Sequence, residues 1–266
     1  MKINIINSLI LLAIFVVSLF LGKLAFSISM SLFAIISLRE MLYIKNKDKY
    51  FPIEIEIISY VILIFFVMNN YDNNLDFYYI DYKILSVLLL SSLIPMVIIN
   101  NKKKYNLLDA LYLCGSTLFL GITFNLLTQF RAHNINYVIY IFVIAIFTTI
   151  FEIITTRYIG KYRLFPTINP KKTLEGLFGG IIMSTIISSM FFISRITTDI
   201  PIYAVVIITF ILSLFGQFGD LVFSFIKKEF NKQNFSKSNK LKSGILDIMD
   251  SVIFITLGFI LFVSII

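Results

Sequence analysis

Residues 202–250 read IYAVVIITFILSLFGQFGDLVFSFIKKEFNKQNFSKSNKLKSGILDIMD. The stretch 202–226 is apolar and long enough to cross a bilayer, whose hydrocarbon core takes about 20 mostly apolar residues in a helix. Asp220 lies near the end of that stretch, after Gly216 and Gly219, which allow close backbone approach. Asp247 and Asp250 open the next apolar segment, three residues apart and so on one face of a helix. Between the two segments stand six lysines, Lys227, Lys228, Lys232, Lys237, Lys240 and Lys242. Carboxylates near a membrane edge are costly unless paired or functional. Set against a dense cationic loop, they suit a divalent metal ion and a polyphosphate. The arrangement predicts phosphoryl or nucleotidyl transfer at a bilayer surface, with Asp220, Asp247 and Asp250 as hard oxygen ligands for Mg²⁺.

The same apolar pattern recurs along the whole chain. Hydrophobic residues are 58% of its 266 residues and the mean hydropathy is +0.91. Spans are expected near 3–22, 24–38, 53–68, 84–99, 107–127, 137–156, 177–194, 202–226 and 245–266, the second and third being short. The long Ile/Leu/Phe runs do not alternate, which excludes a closed β-barrel. The fold class is therefore an all-α polytopic membrane protein of about nine transmembrane helices, one integrated membrane domain. Residues 1–135 carry helices without a motif, and residues 136–266 carry the region with chemistry.

Charge orients these spans. Of 23 basic residues, Lys23, Lys83, Arg131 and Arg195 fall on one side of the alternating topology and all the others on the opposite side. By the positive-inside rule the basic loops are cytoplasmic, the N-terminus is cytoplasmic, the C-terminus is external and the number of spans is odd. The expected location is the cell (plasma) membrane, with membrane lipids around the spans. The net charge of +8 is mainly this topology signal, and a nucleic-acid partner is not expected, because the lysines are tied to short loops. Residues 1–22 are expected to be a retained span, since no small-residue cleavage site follows the apolar run. Cys114, the single cysteine, is expected to pack within a span. His133, the single histidine, falls in an external loop, which excludes a serine- or cysteine-type triad with a histidine base.

A second loop, GKYRLFPTINPKKTLEG over residues 160–176, is also basic. Pro166 and Pro170 prevent a regular helix, so an irregular loop is expected here, leading into a span near Leu177. Lys171, Lys172 and Thr173 stand ahead of that span's first turn, where free N–H groups and the helix dipole favour anions, and Glu175 lies at the same boundary. These four are candidate substrate-binding residues. Lysines at such a boundary are also ordinary membrane anchors, and an Asp at a helix start is also a capping residue.

With these residues in view, the chain resembles the phosphatidate cytidylyltransferase family, the CDP-diacylglycerol synthases. Ser224, Lys227-Lys228, Gly244, Asp247 and Asp250 fall at the spacings of that family's signature. The loop Asn169-Pro170-Lys171-Lys172-Thr173-Leu174-Glu175-Gly176 is similar to its Ser-Pro-Lys-Lys-Thr-Trp-Glu-Gly element, and Gly219-Asp220 matches a Gly-Asp ahead of the signature. The chain departs at Gln233-Asn234, for the family's Lys-Asp, and at Lys240 to Gly244, for Pro-x-His-Gly-Gly. It departs again at Ile248, for Arg. The family's upstream Asp falls in register with Thr149, and Glu152 is the nearest carboxylate. The resemblance implies CTP and phosphatidate, or another lipid phosphate, as substrates, with CDP-diacylglycerol and pyrophosphate as products, and a homodimer as a possible assembly. It implies Asp220, Asp247 and Asp250 at the metal, and Lys171, Lys172, Lys227 and Lys228 at phosphates, Lys228 among the catalytic residues. Ser224 is implied as a phosphate contact, and Lys242 as a cation in the place of the family's histidine. Two alternatives stay open: a CTP-dependent polyprenol or phytol kinase, and a non-catalytic or repurposed paralogue.

Overall fold

In a computed structural model, the structure describes residues 15–45, 51–69, 82–99, 104–166, 169–196, 200–232, 235 and 244–263. Among these residues there are nine helices. They are α1 (residues 15–21), α2 (Lys23–Lys45), α3 (Ile53–Met68), α4 (Tyr82–Ile99), α5 (Leu107–His133), α6 (Ile135–Ile159), α7 (Leu174–Arg195), α8 (Ile202–Glu229) and α9 (Leu246–Val263). One short antiparallel pair, β1 (Arg163–Phe165) and β2 (Asn169–Thr173), lies between α6 and α7. Lipid offers no partner to a bare amide, so an apolar chain crosses a bilayer only with its backbone bonded internally. The protein is an all-α polytopic membrane protein.

Seven helices, α2 and α4 to α9, are long and apolar enough to cross a membrane. α3 has 16 residues, about 24 Å at 1.5 Å per residue, which is short of a hydrocarbon core of about 30 Å. Most of the first expected span lies outside the described residues. Helices run past their expected ends: α2 continues through Arg39 and Glu40 to Lys45, and α8 through Lys227 and Lys228 to Glu229. Hydropathy marks where a span leaves lipid, whereas helical hydrogen bonding continues into the polar boundary. α1 and α2 are separated at Gly22, whose φ of +133° favours glycine.

The loop expected to be irregular at residues 160–176 instead carries a small hairpin, and α7 begins at Leu174, ahead of the start expected near Leu177. Arg163 pairs with Thr173 and Phe165 with Asn169, with a register irregularity between them. Proline excludes a helix but is tolerated in an edge strand, and each strand of a two-stranded pair is an edge.

The chain forms two compact units, Met1–Gln129 with Asn234–Leu246, and Phe130–Gln233 with Asp247–Ile266. In the first unit Cys114 packs with Ile62 and Leu88, as expected of an apolar span residue. The Asn125 amide donates to the carbonyls of Phe66 and Asn69 at 2.8 and 3.0 Å, satisfying the end of the short α3. Lys45 pairs with Asp109 at 2.8 Å. The Glu40 carboxylate accepts the backbone N–H groups of Ile245 and Leu246 at 3.0 and 2.9 Å, a cap supplied from far away in sequence.

The second unit is held by close helix contacts. A Cβ at Gly176 would strike Thr156 Oγ1, and one at Gly180 would lie 2.7 Å from the Thr148 carbonyl oxygen, so α6 and α7 meet backbone to backbone. Thr148 donates to Ser184 Oγ at 2.9 Å, and Ser213 donates to the same oxygen at 3.2 Å, tying α6, α7 and α8. Tyr140 and Thr209 share a 2.7 Å hydrogen bond. The Phe259 ring meets Phe130, Tyr137 and Tyr140 edge-on, at 5.0, 5.5 and 5.8 Å.

Candidate functional site

The chemistry of the second unit gathers around Lys172, the fourth residue of β2. It is buried, at 4% exposure. Its Nζ donates to Asp220 Oδ2 at 2.6 Å, to Gln217 Oε1 at 2.9 Å and to Glu152 Oε1 at 3.2 Å. An ammonium has three N–H donors, so all three are used. Glu152 comes from the C-terminal third of α6, while Gln217 and Asp220 lie on one face of α8. The glycine contacts between α6 and α7 bring Glu152 within reach of the hairpin's lysine. A longer separation would leave a carboxylate alone in an apolar helix, at a cost of several kcal/mol.

The two other aspartates sit on the first turns of α9. Lys227 Nζ pairs with Asp247 Oδ1 at 2.7 Å, both side chains largely buried. Asp250 is 8% exposed and accepts the Ser251 N–H at 2.6 Å. Among the described residues it has no ion pair, and its charged neighbours are Asp220, Lys227 and Asp247. Close packing of α8 on α9 creates this proximity: a Cβ on Gly219 would lie 2.7 Å from the Asp250 carbonyl oxygen. The close approach expected at Gly219 is therefore present, and it sets Asp220 beside Asp250.

The remaining candidates divide by what their side chains already do. Thr173 caps α7, accepting the Gly176 N–H at 3.1 Å and sharing a 3.0 Å hydrogen bond with Thr156. Glu175 accepts the Lys161 and Tyr162 backbone N–H groups at 3.2 Å, which ties the start of α7 to the hairpin. Ser224 is buried and accepts from Asn169 at 3.4 Å, a long contact. Lys228 is exposed, one residue beyond the Asp247 partner. Lys171 is placed by its backbone in β2, beside Lys172. Lys242 lies outside the described residues.

Two site residues were not among the sequence candidates. Gln217 is 3% exposed, and its Nε2 has no hydrogen-bond partner among the described residues. Glu152, noted in the sequence as the carboxylate nearest the register of the family's upstream Asp, carried a second signal, that of a carboxylate inside an apolar span, which is a functional candidate by default. Thr149, in register with the family's upstream Asp, is exposed and bonds the Ala145 carbonyl of its own helix. Among the described residues no group of three or more His, Cys, Asp and Glu side chains is placed to hold a metal ion by itself.

A bundle of apolar helices with a buried carboxylate–lysine network beside a basic hairpin defines an integral membrane protein whose polar chemistry is concentrated on α6, β2, α8 and α9. The chain belongs to the Cytidylyltransferase family, whose sequence model matches residues 2–266. It is 31% identical over 255 residues to a phosphatidate cytidylyltransferase of Staphylococcus saprophyticus, covering 96% of each chain. Proteins of the same name from Staphylococcus haemolyticus and Staphylococcus aureus are 29% and 28% identical over 257 residues, again with 96% of each chain covered.

Proposed function

We propose that this chain transfers a cytidylyl group from CTP to the phosphate of phosphatidate, or of another lipid phosphate, giving CDP-diacylglycerol and pyrophosphate. A lipid phosphate oxygen attacks the α-phosphorus of CTP. The bond from that phosphorus to the oxygen bridging to the β-phosphate breaks, and pyrophosphate leaves with the electron pair. The nucleophile is anionic near neutral pH, so no side chain has to remove a proton. What the protein supplies is position and charge neutralisation.

The observation that carries this reading is the juxtaposition of Asp220 with Asp250 across the α8–α9 contact, with lysines paired around it. A buried carboxylate without its own cation, as at Asp250, is chemically suited to a divalent ion. Mg²⁺ commonly binds through one or two carboxylates and completes its shell with water and substrate phosphates. Asp220, Asp247 and Asp250 are the carboxylates that would hold it; among the described residues no three such side chains are already placed to hold an ion together, so water and substrate phosphates would complete its shell. When bound, the ion supplies positive charge to phosphate oxygens. Lys171, Lys227, Lys228 and Lys242 would meet the phosphates of CTP and lipid, with Ser224 as a further contact. Lys172 reaches a phosphate only by releasing one of its three acceptors. The basic loops face the cytoplasm of a plasma membrane, where CTP is available, and the acyl chains lie among the helices.

Purified protein supplied with CTP, phosphatidate and Mg²⁺ is expected to release pyrophosphate and form CDP-diacylglycerol. Formation of CDP with a phosphorylated polyprenol or phytol instead would assign a kinase. No turnover by the native chain, with turnover gained on Asn234→Asp, Lys242→His and Ile248→Arg together, would assign a non-catalytic paralogue.

A further inference from the structure

The most unusual group in the second unit is Glu152, an acidic residue buried at 8% exposure in the 25-residue apolar helix α6. Among the described residues its one ion pair is to Lys172, which also holds Asp220 at 2.6 Å. The three charges together carry one net negative charge, in surroundings where Coulomb interactions are several-fold stronger than in water. Were Glu152 absent, Lys172 would neutralise Asp220 alone. With it, the ammonium is shared between two carboxylates, and Asp220 keeps attraction for a second cation. Gln217 supplies the third acceptor at 2.9 Å, so the ammonium is fixed in direction as well as in charge.

We propose that Glu152 is a positioning residue for the transfer site: through Lys172 it sets both the place and the residual negative charge of the Asp220 carboxylate, and so tunes the site's affinity for a divalent cation. This rests on the reading of Asp220 as a cation ligand. The proposal predicts an effect that depends on charge balance, which a purely packing role does not.

The test uses the full chain in detergent and Mg²⁺ alone as probe, reading half-saturation from Mg²⁺-dependent thermal stabilisation. Glu152→Gln keeps the shape and removes the charge. It is expected to raise the half-saturating Mg²⁺ concentration about tenfold, the scale of one lost charge interaction in a partly buried site. Lys172→Met shifts the balance the other way and is expected to lower it. The double variant Glu152→Gln with Lys172→Met regains the native net charge and is expected to return to within about threefold of the native value. Unchanged half-saturation in Glu152→Gln would overturn the proposal, as would a double variant no better than Glu152→Gln alone. If Glu152→Gln does not fold, Lys172→Met decides by itself, and a rise there overturns it. A native chain insensitive to Mg²⁺ overturns it as well, while the pyrophosphate assay separately decides whether the transferase reading stands.

Discussion

Asp250 and Asp247 are chemically alike and three residues apart, yet their surroundings make opposite demands. Asp247 has Lys227 at 2.7 Å, whereas Asp250 is buried with one backbone N–H at 2.6 Å and no ion pair among the described residues, with Asp220, Lys227 and Asp247 as its charged neighbours. Burying a charge without a counter-ion is unfavourable, and removing it is often stabilising. Asp250→Asn is therefore expected to raise the thermal stability of the ligand-free protein, by about 1 kcal/mol, while abolishing stabilisation by Mg²⁺ with CTP. Asp247→Asn leaves Lys227 without its carboxylate and is expected to lower both. Thermal unfolding with and without Mg²⁺ and CTP checks the pair, and equal loss of stability in both variants would mean that the two aspartates serve only as helix caps. At this scale the three aspartates stood out in the sequence as candidates, because their type and spacing carry the signal. Glu152 and Gln217 were not picked out, because nothing local says which neighbour a buried polar side chain will meet.

Between helices, the α6–α7 contact decides whether the site assembles. A Cβ at Gly180 would press on the Thr148 carbonyl oxygen at 2.7 Å, which is backbone and cannot swing aside. Gly180→Ala is expected to destabilise the protein by about 1–3 kcal/mol, as overpacking does, and to raise the half-saturating Mg²⁺ concentration by parting Glu152 from Lys172. Gly115, in α5, has nothing within 4 Å of the same added atom. Gly115→Ala should stabilise by about 0.5–1 kcal/mol, since alanine loses less backbone entropy in a helix. Thermal unfolding of the two variants side by side checks the contrast. A stable Gly180→Ala protein would mean that the helices do not approach as closely as described. The hairpin shows a related limit: proline excluded a helix before α7, which begins at Leu174, but the choice between loop and strand pair depends on Glu175 and Thr173 tying the hairpin to α7.

The whole molecule is set by where charge and apolar length alternate. Of 23 basic residues only Lys23, Lys83, Arg131 and Arg195 fall on the acidic side of the expected topology. With the expected odd number of spans, the loop containing Ser238 is expected inside and the C-terminus outside. In a Cys114→Ala background, Ser238→Cys and a cysteine appended after Ile266 are expected to react with an impermeant maleimide from opposite faces of sealed vesicles. Reaction of both from one face would require an even number of spans, with α3, at 16 residues, the first helix to reconsider.

By itself the sequence determined that this chain lies in a membrane as helices and that a non-helical segment precedes α7, and it singled out Asp220, Asp247 and Asp250 as candidate acidic residues. Each of these depends on local sums: apolar length against bilayer thickness, proline against helical hydrogen bonding, and like charges at short spacing. Only the tertiary structure decided that Lys172 spends its three hydrogens on Glu152, Gln217 and Asp220, and that Thr173 and Glu175 serve the start of α7. Those pairings depend on the depth and rotation at which helices meet. Small-residue contacts such as Gly176 on Thr156 and Gly219 on Asp250 set that geometry, and hydropathy is the same for every rotation.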